Sequence, residues 1–169
     1  MNRLSRCLLF LLMAAFLSGC TLSQEDMTEQ TIKNVKEVFS EKPPKADQKA
    51  GSYRFYLPET YKIDAVRKYN ILLLENSQRT ILFINQNEKP SSTVAYKTIK
   101  QQYKHAVLNV QMKDKNRFGY AAADKLKNNR YEITVGIGGI KLTTEADASK
   151  IPDSAKKMMM IAASLQWNP

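Results

Sequence analysis

The chain has 169 residues, 43% of them hydrophobic, which suits a single domain with a real core. Two cysteines and one histidine are too few ligands for a structural zinc site. With 26 Lys and Arg against 16 Asp and Glu the net charge is +10, so a partner recognised by charge would be an anion.

The chain opens on a targeting segment. Arg3 and Arg6 form a short positive region, and Cys7 to Leu17 is an almost unbroken apolar run of 11 residues. A bilayer core needs about 20 residues, so this run is too short to span one. A basic flank, a short apolar run and small residues at its end read as a secretory signal. Leu17-Ser18-Gly19-Cys20 resembles the lipobox of bacterial lipoproteins, with Leu, two small residues and then the cysteine. The resemblance implies removal of residues 1–19, a diacylglycerol on the Cys20 thiol, and a lipid-anchored position on the extracytoplasmic face of a cell membrane. Each buried methylene contributes about 0.8 kcal/mol, and two acyl chains are enough for stable attachment. The residue after the cysteine is Thr21; an Asp there would favour inner-membrane retention in a double-membraned envelope.

With Cys7 removed and Cys20 acylated, the mature 150 residues (169 − 19) have no free thiol. That excludes a disulfide, a Cys nucleophile and a thiolate metal site.

Ser23 to Glu41 reads as a helix. Ser23 caps it with Asp26 three residues on, and Met27, Ile32, Val35, Val38 and Phe39 form one apolar stripe. The helix either packs on the domain or serves as a stalk. Lys42 to Gly51 reads as a break, stiffened by Pro43 and Pro44 and with nothing that wants burial. The expected organisation is therefore a signal over 1–19, a lipidated N-terminus, helix and linker over 20–51, and one domain over 52–169.

From Ser52 the pattern becomes β. Tyr53–Leu57 is a short strand stopped by Pro58, and Tyr61–Val66 is another. Asn70–Glu75 and Arg79–Asn85 form a hairpin around Asn76-Ser77-Gln78. Pro90-Ser-Ser-Thr93 opens a helix to about Tyr103, with Ala95, Tyr96, Ile99 and Tyr103 as its stripe. Ala106–Met112 is a strand with Val and Leu on both faces. Arg117–Ala123 is a strand whose Gly119 marks a bulge or a close backbone approach. Tyr131–Ile137 and Ile140–Thr144 form a hairpin around Gly138-Gly139. Pro152 starts a last helix through Leu165, with Ile151, Ala155, Met158, Ala162 and Leu165 inward and Trp167 closing it. Hairpin-joined strands with helices at start, middle and end give an α+β fold: an antiparallel sheet covered by helices.

Phe55-Tyr-Leu-Pro58 with Tyr61, an apolar hairpin and a helix after Ser91-Ser92 resemble the first half of the PsbP/DcrB/Mog family fold. Phe118-Gly119-Tyr120-Ala121, a strand pair and a final helix ending in Ala163-Ser164-Leu165 resemble the second half, so the likeness covers residues 52 to 167. It implies a sandwich scaffold shared by lipoproteins, photosystem II accessory proteins of the thylakoid lumen and a Ran-binding protein. It implies no catalytic residue, because such members share a scaffold rather than a chemistry.

The residues offer no assembled catalytic set and no cofactor motif. His105, the only histidine, follows a helix end and reads as a cap or surface residue. Gly136-Ile-Gly-Gly139 lacks the Lys-Ser/Thr and helix of a phosphate loop and reads as a hairpin turn. Glu145 and Asp147 both follow a strand, but two carboxylates are fewer oxygens than hard cations recruit. No serine sits in a Gly-x-Ser-x-Gly elbow. Met158-Met159-Met160 reads as core filling, with a partner-binding surface as its alternative.

The candidate anion-binding residues are Lys97, Lys100, Lys104, Lys113, Lys115, Arg117, Lys125, Lys127 and Arg130, opposed in that stretch only by Asp114 and Asp124. Tyr96, Tyr103, Phe118 and Tyr120 interleave with them as on nucleic-acid surfaces. The extracytoplasmic compartment removes nucleic acid from the expected partners and leaves lipid headgroups or wall polymers. The leading expectation is a non-catalytic accessory or interaction module of the bacterial envelope, with membrane lipid bound through Cys20 and an envelope protein as partner. The alternative is a binder of an anionic ligand, headgroup or wall polymer through residues 97–130. An envelope enzyme is the weakest third reading.

Overall fold

The computed structural model describes residues 22–167, so the lipobox and Cys20 lie outside the described residues. Helix α1 spans Gln24–Ser40, α2 Val94–Gln102 and α3 Ile151–Ser164. The strands are β1 Gln48–Ala50, β2 Tyr53–Phe55, β3 Tyr61–Val66, β4 Asn70–Glu75, β5 Gln78–Ile84, β6 Ala106–Lys113, β7 Phe118–Lys125, β8 Arg130–Ile137, β9 Ile140–Asp147 and β10 Gln166–Trp167. The fold is α+β, as the hairpin pattern implied.

Seven strands form one antiparallel sheet in the order β3-β4-β5-β9-β8-β7-β6. Its two middle hairpins turn where the sequence provides small or left-handed residues: Asn76 has φ 53° and Gly138 φ 55°. A small second sheet, β1-β2-β10, pairs the segment after α1 with the end of the chain, Trp167 opposite Tyr53. No helix among the described residues is long and apolar enough to cross a membrane.

The larger sheet has two unlike faces. α1 packs along α3, and both lie on one face, α3 over β8 and β9 and α1 over β6. α1 starts at Ser23, whose Oγ accepts from the Asp26 N–H at 3.0 Å. It buries Met27, Thr31, Val35, Val38 and Phe39. Met27, Val35, Phe39, Ile71, Leu82, Val135, Leu142 and Met158 belong to one continuous core between these helices and the sheet. α2 covers only part of the other face, where Tyr96 and Ile99 meet Phe118, Tyr120 and Ala122. β7 is therefore enclosed on both sides, which explains its small residues: Ala121 and Ala123 belong to the main core and Ala122 to the α2 cluster. Burying one Leu-sized side chain contributes about 1.5–3 kcal/mol, so the α1/α3 face holds most of the stability.

Several expectations change. Of the two roles open to α1, packing on the domain is the one observed. The segment 42–51 does bury residues: Ala46 and Ala50 are 7% and 3% exposed, and β1 pairs with β2 in register Gln48↔Phe55. Two prolines stop the helix without preventing a short strand beyond them. β6 is apolar on one face only, with Leu108, Val110 and Met112 buried and Asn109 and Gln111 exposed. Gly119 is a close approach and not a bulge. Its ladder runs unbroken from Met112 to Ile137, and a Cβ there would lie 2.6 Å from the Phe39 ring. Met158 and Met159 fill the core and Met160 packs partly buried against it, so the run makes no methionine surface.

Candidate functional site

The sequence offers one stretch of nine basic residues, and the fold divides it. The β6–β7 hairpin is antiparallel with Ala106 opposite Asp124 and Lys113 opposite Phe118. Lys113, Lys115 and Arg117 therefore sit at its turn, the tip. Lys104, Lys125, Lys127 and Arg130 sit at its open end, the base. Eight-residue strands separate the two groups by about 23 Å. Lys97 and Lys100 are exposed on α2, three residues apart, and lead toward Lys104 at the base.

At the tip, Asp114 organises the turn. Its Oδ1 accepts from the N–H groups of Asn116 at 2.9 Å and Arg117 at 2.7 Å, and its Oδ2 accepts from Arg117 Nε at 2.7 Å. These donors, the Asn116 N–H foremost and the Arg117 side chain next, hold the Asp114 carboxyl below the usual carboxylate range. Arg117 Nη2 also donates to the Phe39 carbonyl at 2.9 Å, and its guanidinium lies 4.7 Å from the Phe39 ring. Arg117 is thus a structural clamp between the hairpin and the end of α1. It leaves the set of free anion ligands.

At the base, a tight turn over Lys127–Asn129 joins β7 to β8, with Asn128 and Asn129 at φ 57° and 55°. The loop closes through Leu126 N–H to the Arg130 carbonyl at 2.8 Å. His105 is exposed, and its backbone N–H donates to Asp124 Oδ1 at 2.7 Å, which ties the start of β6 to the end of β7. Arg130 Nη2 donates to the Glu145 carbonyl at 3.1 Å and lies 3.9 Å from its carboxylate. Lys104, Lys125 and Lys127 are exposed and form no ion pair among the described residues.

The interleaved aromatics belong to the interior. Tyr96, Phe118 and Tyr120 pack on one another with centroids 5.5–6.3 Å apart under α2. Tyr103 OH and Thr134 Oγ1 lie 2.6 Å apart. Burial drives the phenols of Tyr103 and Tyr120 well above the ordinary tyrosine range. They seat α2 and offer no stacking platform.

The sequence reading missed the sheet surface that α2 leaves uncovered. A groove of about 280 Å³ runs beside α2, lined by Ile81, Phe83, Tyr103, Glu132, Thr134 and Thr143 among others. Ile81 is 50% exposed, and the surface continues over Leu72 and Leu74. The signal was present in Ile71-Leu72-Leu73-Leu74, apolar on both faces of β4, where a one-sided sheet would alternate. Among the described residues no three His, Cys, Asp or Glu side chains gather as a metal site would require. Glu145 and Asp147 instead face Arg130 and Lys150.

No family model and no curated protein sequence matches the chain. Among solved structures it is similar to the solution structure of cyanobacterial PsbP (CyanoP) from Synechocystis sp. PCC 6803, with 10% sequence identity, 69% of this chain and 86% of that chain covered, and a TM-score of 0.44.

Proposed function

We propose that this chain is a non-catalytic accessory module of a bacterial envelope, held on the extracytoplasmic face of a membrane by lipid on Cys20 and acting by contact with another envelope protein. The observation that carries the reading is Leu17-Ser18-Gly19-Cys20 followed, four residues on, by the first residue of a helix packed into the core. That arrangement suits a folded domain held close to a bilayer.

The far end of the domain supports the contact role. Trp167 pairs opposite Tyr53, and Val66 lies against Gly51 at the neighbouring turn, so β10 and the β1–β2 turn bring both to one corner. Trp167, Val66 and Tyr69 are each about half exposed, at 53%, 48% and 46%. Exposed large apolar groups gathered at one place are a feature of interaction surfaces.

Two experiments test this. Cys20→Ser should release the protein from membrane lipid modification, read as loss of the acyl mass; a protein that stays acylated elsewhere would remove the anchor from the reading. A photo-crosslinker at Tyr69 or Trp167 in intact cells should capture one defined envelope protein. A ladder of unrelated products, or none, would argue against a dedicated partner.

A further inference from the structure

The fold fixes which end of the domain faces the anchor. α1 begins at Gln24, whose Oε1 accepts from Tyr131 OH at 3.4 Å. Tyr131 pairs with Lys125, and Arg130 beside it pairs with Asp147. Gln24, Glu25, Thr28 and Glu29 also share a shallow surface depression with Val107 at the start of β6. The chain leading to Cys20 therefore leaves the domain at the base of the β6–β7 hairpin. At the opposite end of α1, Phe39 holds Arg117 and Gly119 at the tip.

Gln24 lies four positions beyond Cys20, and an extended chain of that length spans at most about 14 Å. The screening length at physiological salt is about 8 Å. A tether this short lets Lys104, Lys125 and Lys127 come within electrostatic reach of any surface to which Cys20 is fixed. Lys113 and Lys115 are held away from it by the length of the hairpin.

We propose that the base of the domain, through Lys104, Lys125 and Lys127, lies against anionic lipid headgroups of the membrane that carries Cys20, so that the acyl chains and the basic face are two joint attachments. The proposal rests on the lipid-anchor reading above. Each basic residue near an anionic bilayer strengthens attachment about fivefold. Carboxylates shape the pose. Glu145 faces Arg130, and Asp147 faces Lys150, so those two cations are partly neutralised. Glu25, Asp26 and Glu29 are exposed at the start of α1, and Glu25 and Glu29 lie on the side of Val107. A negative surface repels that flank, and the domain tilts so that the β7–β8 turn and the end of α2 lie down. The tilt lifts the Trp167 and Tyr69 end toward the aqueous side, where a partner can reach it.

The acylated full-length protein has no other thiol after processing, so one engineered cysteine takes a fluorophore cleanly. His105→Cys reports the base and Asn116→Cys the tip; both positions are exposed. The acylated protein is placed on vesicles of phosphatidylcholine, or of phosphatidylcholine with phosphatidylglycerol, each holding a headgroup quencher. On the anionic vesicles the label at 105 should be quenched several-fold more than the label at 116. High salt should erase the excess at 105 over the neutral vesicles, and so should Lys104→Ala/Lys125→Ala/Lys127→Ala. The matching Lys→Arg triple should keep it, as should Lys113→Ala/Lys115→Ala. Equal quenching on both vesicle types, or an equal loss in the tip variant, overturns the proposal while leaving an acylated Cys20 intact. A protein without acyl mass that still presents position 105 to anionic vesicles supports the basic face and removes the anchor instead.

Discussion

The β6–β7 hairpin carries basic residues at both ends and uses them in different ways. At the tip, Arg117 meets a carboxylate, a helix-end carbonyl and an aromatic ring, and its charge becomes part of the packing. At the base, the turn is built from Lys and Asn, and the lysines keep their charge toward solvent. The difference shows that a run of positive charge in a sequence is not one object. What each residue does depends on which acceptors the fold carries to it.

Substitutions can break this contrast. The largest effect is expected at Gly119→Ala, because the added methyl would enter the buried Phe39 ring. Overpacking of this kind costs roughly 1–3 kcal/mol, and the upper half of that range is expected because the ring is enclosed. Urea unfolding of the variant should show a lowered midpoint with an unchanged slope. Arg117→Ala follows, at about 2 kcal/mol, from loss of charged hydrogen bonds to Asp114 and to the Phe39 carbonyl. Lys127→Ala at the base should stay within about 0.5 kcal/mol of the parent protein. If Lys127→Ala and Arg117→Ala proved equal in stability, the distinction between the ends would collapse.

Acid sharpens the same contrast. The folded Asp114 carboxyl lies below its unfolded value, so its contribution is present above the ordinary carboxylate range and lost as pH falls through the folded value. Asp114→Asn should flatten that part of the acid limb, whereas removing Lys104 or Lys125 should leave its shape unchanged. A separate effect lies at alkaline pH and marks the buried interior. Burial pushes the Tyr61 phenol up to about 12, and Tyr103 and Tyr120 shift the same way. A raised folded value stabilises below the ordinary tyrosine range, near 10, and that contribution fades as pH rises toward the folded value. Absorbance titration should show part of the eight tyrosines ionising late, together with a falling unfolding midpoint. Tyr61→Phe should reduce that fall.

Much of the fold was legible because local signals agreed. Ser23 with Asp26 marked the start of α1, Asn76 and Gly138 marked turns, and the 3–4 spacing marked α2 and α3. Other features needed distant partners. Ala46 and Ala50 read as linker residues because their burial depends on β2 and the end of the chain. Gly119 could be narrowed only to a bulge or a close approach until Phe39, 80 residues earlier, came against it. The basic candidates were visible as residue types, but their division was set by the antiparallel register of β6 and β7. Arg117 in particular could not be told from Lys115 by sequence, since its acceptor carbonyl lies on another element.

α1 gives the molecule a mechanical property as well. It runs about 25 Å from the base of the β6–β7 hairpin to Phe39 at its tip, packed along its length on α3 and β6. A pull on the N-terminus is directed along this axis. It loads the flanking contacts together, in shear, rather than peeling them one at a time. A force applied along this axis is carried by the α1–α3 helix pair and by the contact of α1 with β6.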